Sequence, residues 1–208
     1  SDLIAEGLVV GADEPGQRER EKGVRGRPRS LLALHGAAAS VLAIKLSVNT
    51  IELALADYGG TLVARGATGF DSVAVTADAF GQTLVAAVRT FLAEHDVRQP
   101  SVIAIASQGV VDDSAGTVAW SPAFAVGHVP VVAPLRDAFG VTCMLSNDTN
   151  MIAEALHRID PVRYGGTFAV LFVDYGVGMG LFVNNRLFVG ETGAAAEIGH
   201  ASHIPGGA

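Results

Sequence analysis

One cysteine in 208 residues, Cys143, leaves no partner for a disulfide within the chain. That argues against a disulfide framework and favours a reducing, cytoplasmic setting. Charged residues are only 17% of the chain and aromatic ones 6%, while half of it is hydrophobic. So little charge argues against an intrinsically disordered segment, and so few rings leave the core to Ala, Val, Leu and Ile. No apolar run reaches the ~20 residues that a membrane-spanning helix needs. The opening residues, Ser1–Val10, lack the basic start and apolar stretch of a secretory signal. What remains is a chain long enough for a substantial core without a metal or disulfide staple, in one or two domains. Its small residues suit close helix–sheet layers.

The net charge of −7 is unevenly spread. Six of the fourteen Lys and Arg residues fall between Arg18 and Arg29, beside only Glu19 and Glu21. That stretch carries +4 and the rest of the chain −11. Two readings fit: a solvated linker, or a small DNA-contacting element on an acidic body.

Residues 1–10 read as the end of an amphipathic helix stopped at Gly7, followed by a short strand. A polar loop over 11–29 and the apolar run SLLALHG complete the order helix end, strand, basic loop, strand. The close of a winged helix-turn-helix has this order. Arg25, Gly26, Arg27 and Arg29 would then lie along phosphates or enter a minor groove. From Val41, VLAIKLS, TIELALADY and TLVARGATG predict a three-strand meander, and Phe80, Leu84, Val88 and Phe91 predict a helix over Asp78–Glu94. SVIAIAS and VTCML read as buried strands, with TVAWS, a helix near Val131–Phe139 and a helix over Thr149–Arg158 around them. After a polar break at Asp160–Gly166 come FAVLFVDY and a hairpin turning at Asn184-Asn185. Two similar lobes with a ligand cleft between them are expected.

Several segments carry a family resemblance. They are DYGVGMGLFVNNRLFVGETGAAAEIGH at Asp174–His200, LSND at Leu145–Asp148, GVVDDSAGTVAWSPAF at Gly109–Phe124, and the Gly-Arg-Pro-Arg wing followed by LLAL. In this order they resemble the ROK (repressor, open reading frame, kinase) family, and within it the transcriptional regulators. The resemblance implies an α/β chain with the two-lobed actin-like ATPase, ribonuclease H-like sugar-kinase fold. Residues 1–38 would be the end and wing of the winged helix-turn-helix, 39–160 the first lobe, and 161–208 the start of the second. It also implies that the chain is part of a longer protein.

A sugar's ring of hydroxyls needs carboxylates, amides and imidazoles around it. Asn147, Asp148, Glu197 and His200 are that set, with Gly109 allowing close backbone approach. The position of Asp148 is that of the general base in the family's kinases. From residues alone, Asp148 is equally an N-cap for the following helix and Asn147 a turn residue. Likewise Glu197 and His200 are either ligand contacts or a surface pair beside a glycine turn. The resemblance further implies a structural zinc on His200 in the intact protein, completed by cysteines beyond Ala208.

Nucleotide is not expected. Where the family's kinases have Asp-x-Gly-Gly-Thr, this chain has Lys45-Leu46-Ser47-Val48-Asn49-Thr50, with a cation where magnesium would be held and side chains where phosphates would lie. Gly176-Val177-Gly178-Met179-Gly180 keeps alternating glycines, which serve either phosphate contact or a tight hairpin. The sequence therefore reads as a sugar-responsive, DNA-binding regulator, usually a repressor, acting as a homodimer or homotetramer on operator DNA with a monosaccharide or sugar-derivative effector. An ATP-dependent hexose kinase and a non-enzymatic scaffold are the alternatives.

Overall fold

The computed structural model describes residues 2–12, 31–173, 176–190, 193–195 and 198–200, with Ala12 and His200 described by backbone only. Arg25, Gly26, Arg27, Arg29 and Glu197 lie outside the described residues, as does the side chain of His200.

Helix α1 (Asp2–Ala5) ends before Gly7, which takes φ +72°. Strand β1 (Val9–Ala12) then pairs antiparallel with β2 (Leu31–Leu34). This is the helix end, strand and returning strand expected from the sequence. The described side chains of these strands are largely exposed, so little apolar burial fixes the ribbon.

Strands β3 (Ser40–Ser47), β4 (Thr50–Asp57) and β5 (Leu62–Gly69) form the predicted antiparallel meander. Helix α2 (Ala77–Glu94) follows, capped by the Thr76 hydroxyl, which accepts from the Ala79 N–H. Strand β6 (Val102–Ser107) is parallel to β3, and β10 (Thr142–Asn147) is parallel to β6. The resulting sheet order, β10-β6-β3-β4-β5, is the ribonuclease H-like arrangement. Between β6 and β10 run β7 (Val110–Asp112), β8 (Thr117–Trp120), β9 (Val129–Pro130) and helix α3 (Val132–Phe139). Of these, β7 and β9 are not expected from the sequence, being too short to show a period.

Alternation decides the core. Leu42, Ile44 and Leu46 of β3 and Ile51, Leu53 and Leu55 of β4 turn to one face, where Phe80, Leu84 and Val88 of α2 meet them. Each such side chain contributes about 1.5–3 kcal/mol relative to exposure. Phe70, Phe80 and Phe124 cluster at one side, with Phe80 and Phe124 edge-to-face at 4.7 Å.

Helix α4 (Asp148–Ile159) leaves β10 directly and carries a second sheet, β11 (Phe168–Val173), β12 (Val177–Val183) and β13 (Arg186–Leu187). The turn at Asn184-Asn185 has φ +53° and +61°, the left-handed pair that a tight two-residue hairpin demands.

Candidate functional site

Because β3, β6 and β10 are parallel, their carboxyl ends reach the same edge of the sheet: Leu46 lies beside Ser107, and Ser107 beside Asn147. Ligands of open α/β sheets bind at this edge. Here the loops after the three strands, together with β11, β12 and the loop residues Gly193 and Ala195, enclose a cleft of about 400 Å³. That volume is in the usual range for a small-molecule site.

Asn147 is held from two sides. Its Oδ1 accepts from the N–H groups of Thr149 at 2.9 Å and Asn150 at 3.1 Å, so Asn147 is the N-cap of α4. Its Nδ2 donates to the Gly109 carbonyl at 2.8 Å. Between the two readings of this junction the cap thus falls to Asn147, Asp148 opens the helix, and both line the cleft. Gly109 has φ +86°, and a Cβ there would overlap the carbonyl oxygen of Trp120. A side chain at Gly109 is therefore excluded twice, by backbone conformation and by space.

Asp148 is only 8% exposed. Burial pushes its carboxyl above the usual carboxylate range, while hydrogen bonds from Thr149 and the Lys45 ammonium pull it back down. Its Oδ1 accepts from the Thr149 N–H at 2.8 Å and the Thr149 hydroxyl at 3.3 Å. At the mouth of a cleft, such a group can accept hydrogen bonds from hydroxyls or take a proton from one.

The hairpin after β3 has the opposite character. Asn49, at φ +58°, is clamped to Ser72: its N–H donates to the Ser72 hydroxyl at 2.6 Å, and its Oδ1 accepts from the Ser72 N–H at 2.9 Å. Val48 lines the cleft and is 44% exposed. Lys45 Nζ lies 3.7 Å from Glu52 Oε2 and 6.0 Å from the centre of the Phe172 ring.

The alternating glycines of β12 have a packing use. A Cβ on Gly178 would overlap the Thr149 hydroxyl, and one on Gly180 would come within 2.6 Å of the Thr149 carbonyl oxygen and 2.9 Å of the Ala153 Cβ. Both let β12 lie directly on α4. Gly176 has no neighbour within 4 Å of where a Cβ would stand, and it lines the cleft.

Gly109, Asn147 and Asp148 are thus brought together. The backbone of His200, in a 3-10 turn at Ile198–His200, approaches through Gly199, which also lines the cleft. Gln108, Trp120, Pro122, Thr149, Asn150 and Phe172 line it too, although the sequence did not single them out. For Trp120 a signal existed: the chain's only tryptophan, next to Ser-Pro at a strand end. Ala123, next to Pro122 in the chain, is fully buried. Its methyl belongs to the core that holds Phe124. Asp112 locks a turn, accepting from the Ser114 hydroxyl at 2.7 Å and the Ala115 N–H at 2.9 Å, which hold its carboxyl below the usual range.

Among the described residues no three His, Cys, Asp or Glu side chains come together as a metal site. Cys143 is half-buried on β10, its thiol raised above the ordinary range by burial. No described helix is long and apolar enough to cross a membrane.

The sequence model of the ROK family matches residues 41–208. The DNA-binding transcriptional dual regulator NagC of Escherichia coli is 29% identical over 112 residues, covering 54% of this chain and 28% of that protein. The xylose repressor of Caldicellulosiruptor bescii is 25% identical over 210 residues, covering 97% of this chain and 49% of its own length. N-acetylmannosamine kinase of Yersinia pestis is 30% identical over 168 residues, covering 80% of this chain and 55% of the kinase. This chain therefore spans about half, or less, of the curated relatives it matches. A crystal structure of a ROK family transcriptional regulator, a homologue of the E. coli MLC protein, superposes with a TM-score of 0.77 at 22% identity. It covers all of this chain and 51% of that one, and establishes the shared fold.

Proposed function

The chain belongs to the ROK family, and from that premise we propose that it is the sugar-sensing part of a DNA-binding regulator whose kinase-like cleft binds a monosaccharide without phosphorylating it. The observation that carries this reading is the contrast within one cleft. Asn147 and Asp148 keep a polar, fixed hydroxyl-binding corner, while Lys45, Val48 and Asn49 occupy the hairpin where a kinase grips phosphate and magnesium. The similarity to the xylose repressor runs over 97% of this chain, whereas that to the N-acetylmannosamine kinase covers 80%.

In this reading residues 1–38 are the wing end of a winged helix-turn-helix, 39–160 the first lobe, and 161–208 the opening of the second. Arg25, Gly26, Arg27 and Arg29 contact operator DNA. Gly109, Asn147, Asp148, Glu197 and His200 hold the sugar. Binding energy goes into shifting the balance between DNA-bound and released conformations of a dimer or tetramer in the cytoplasm. A structural zinc at His200 is proposed only for the longer protein, because its other ligands would have to come from outside these residues.

A hexose kinase is the second reading, favoured by the place of Asp148, whose raised carboxyl suits a general base. Thermal melting of the intact protein, loaded with whichever sugar stabilises it, separates the two. No further rise with MgATP is expected of the sensor. A clear further rise, followed by turnover, would establish the kinase.

A further inference from the structure

Strand β8 contains a break in its pairing that changes where one side chain goes. Val111 stands opposite Val118, but Val110 stands opposite Trp120, so Ala119 is an extra residue between the two pairs. In an unbroken strand Val118 and Trp120 would share a face. Val118 is 1% exposed, in the core, whereas Trp120 is 49% exposed and lines the cleft. A bulge of this kind re-aims a side chain at the cost of a regular ladder. The position is also fixed relative to the polar corner. Asn147 holds the Gly109 carbonyl, and Gly109 lies directly against the Trp120 carbonyl, so Trp120 and Asp148 are tied to the same short framework.

Resting on the sugar-sensor reading above, we propose that Trp120 is the stacking platform of the cleft and selects a pyranose whose hydroxyls are mainly equatorial. Such a ring carries its axial C–H bonds on its two flat faces and its hydroxyls around the rim. The flat face matches the electron-rich face of an indole, and the rim hydroxyls reach Asp148. An axial hydroxyl would be pressed against the indole without a partner, and its desolvation would count against binding. Pro122 and Phe172 supply further apolar wall. Polar groups alone would hold many small polyols; the indole adds the requirement for a flat ring.

The test uses the intact protein with glucose, xylose and N-acetylglucosamine as equatorial pyranoses, and galactose and ribose as contrasts, read by calorimetry. At least one equatorial sugar should bind, with the contrasts roughly fivefold or more weaker. Binding should change the tryptophan emission of wild type, and Trp120→Phe should remove that change. Trp120→Ala, checked by circular dichroism and melting, should weaken binding about tenfold and flatten the sugar preference, while Trp120→Phe keeps most of both. Binding of the sugars with Trp120→Ala within twofold of wild type would overturn the platform but leave the sensor. So would a preference for galactose or ribose. No binding of any of these sugars to wild type would overturn the sensor reading, and the platform with it.

Discussion

The Val48-Asn49 hairpin and the Asn147-Asp148 junction stand at the same edge of one sheet and border the same cleft, yet they use their side chains differently. At the hairpin, Asn49 is consumed by its clamp on Ser72, Lys45 leans on Glu52, and Val48 presents an apolar surface. At the junction, Asn147 caps α4 and tethers Gly109, and it and Asp148 both still line the cleft. Because the two hang from separate strands, one can carry self-paired and apolar side chains while the other keeps polar ones at the cleft.

The largest effect should come from the polar corner. Asp148→Ala should cost about 2–3 kcal/mol of sugar affinity, or roughly a hundredfold, while leaving operator binding in the absence of sugar unchanged. Undiminished calorimetric binding would remove Asp148 from the sugar site. Asp148→Asn separates binding from stability. Burial raises the folded-state pKa of Asp148, so its ionised form opposes folding. That penalty grows as pH rises from the unfolded value, about 3.9, through the folded one, and is complete above it. The Asn variant should therefore melt higher than wild type at pH 7, with the gap closing below about pH 4.

Gly180→Ala forces a methyl against the Thr149 carbonyl and Ala153, and should cost about 1–3 kcal/mol of stability. Gly176→Ala should cost much less, since that position is open, and equal losses in denaturant melts would refute the packing account of the glycines. Asn49→Ala removes both the clamp and a residue tolerant of positive φ, and should cost about 1 kcal/mol. It should not alter sugar affinity; a change there would make the Val48-Asn49 hairpin part of the sugar site. Smallest is the effect on DNA: Arg25→Ala with Arg27→Ala should reduce the magnitude of the salt slope of operator binding by about 0.9 for each phosphate no longer neutralised.

The strands of the meander, helix α2 and the Asn184-Asn185 turn were legible because alternation, helical spacing and left-handed turn residues are local signals. Asn147 and Asp148 were legible as a pair through their motif, but the division of labour between them was not. The cap falls to the Asn147 Oδ1, and the tether of its Nδ2 to Gly109, thirty-eight positions away, fixes the corner. Lys45 and Val48 were readable as a departure from the kinase pattern, and the clamp between Asn49 and Ser72 was invisible before the chain folded.

Amino-acid order alone thus dictates the elements, the family and the departure from the kinase pattern at Lys45–Thr50, since each depends on residues close together in the chain. Folding in three dimensions settles how the glycines of β12 are used, which side chain at the junction caps α4, and that Trp120 leaves the core for the cleft. Each of these turns on contacts between strands and helices distant in sequence, and on a single bulge that no periodicity announces.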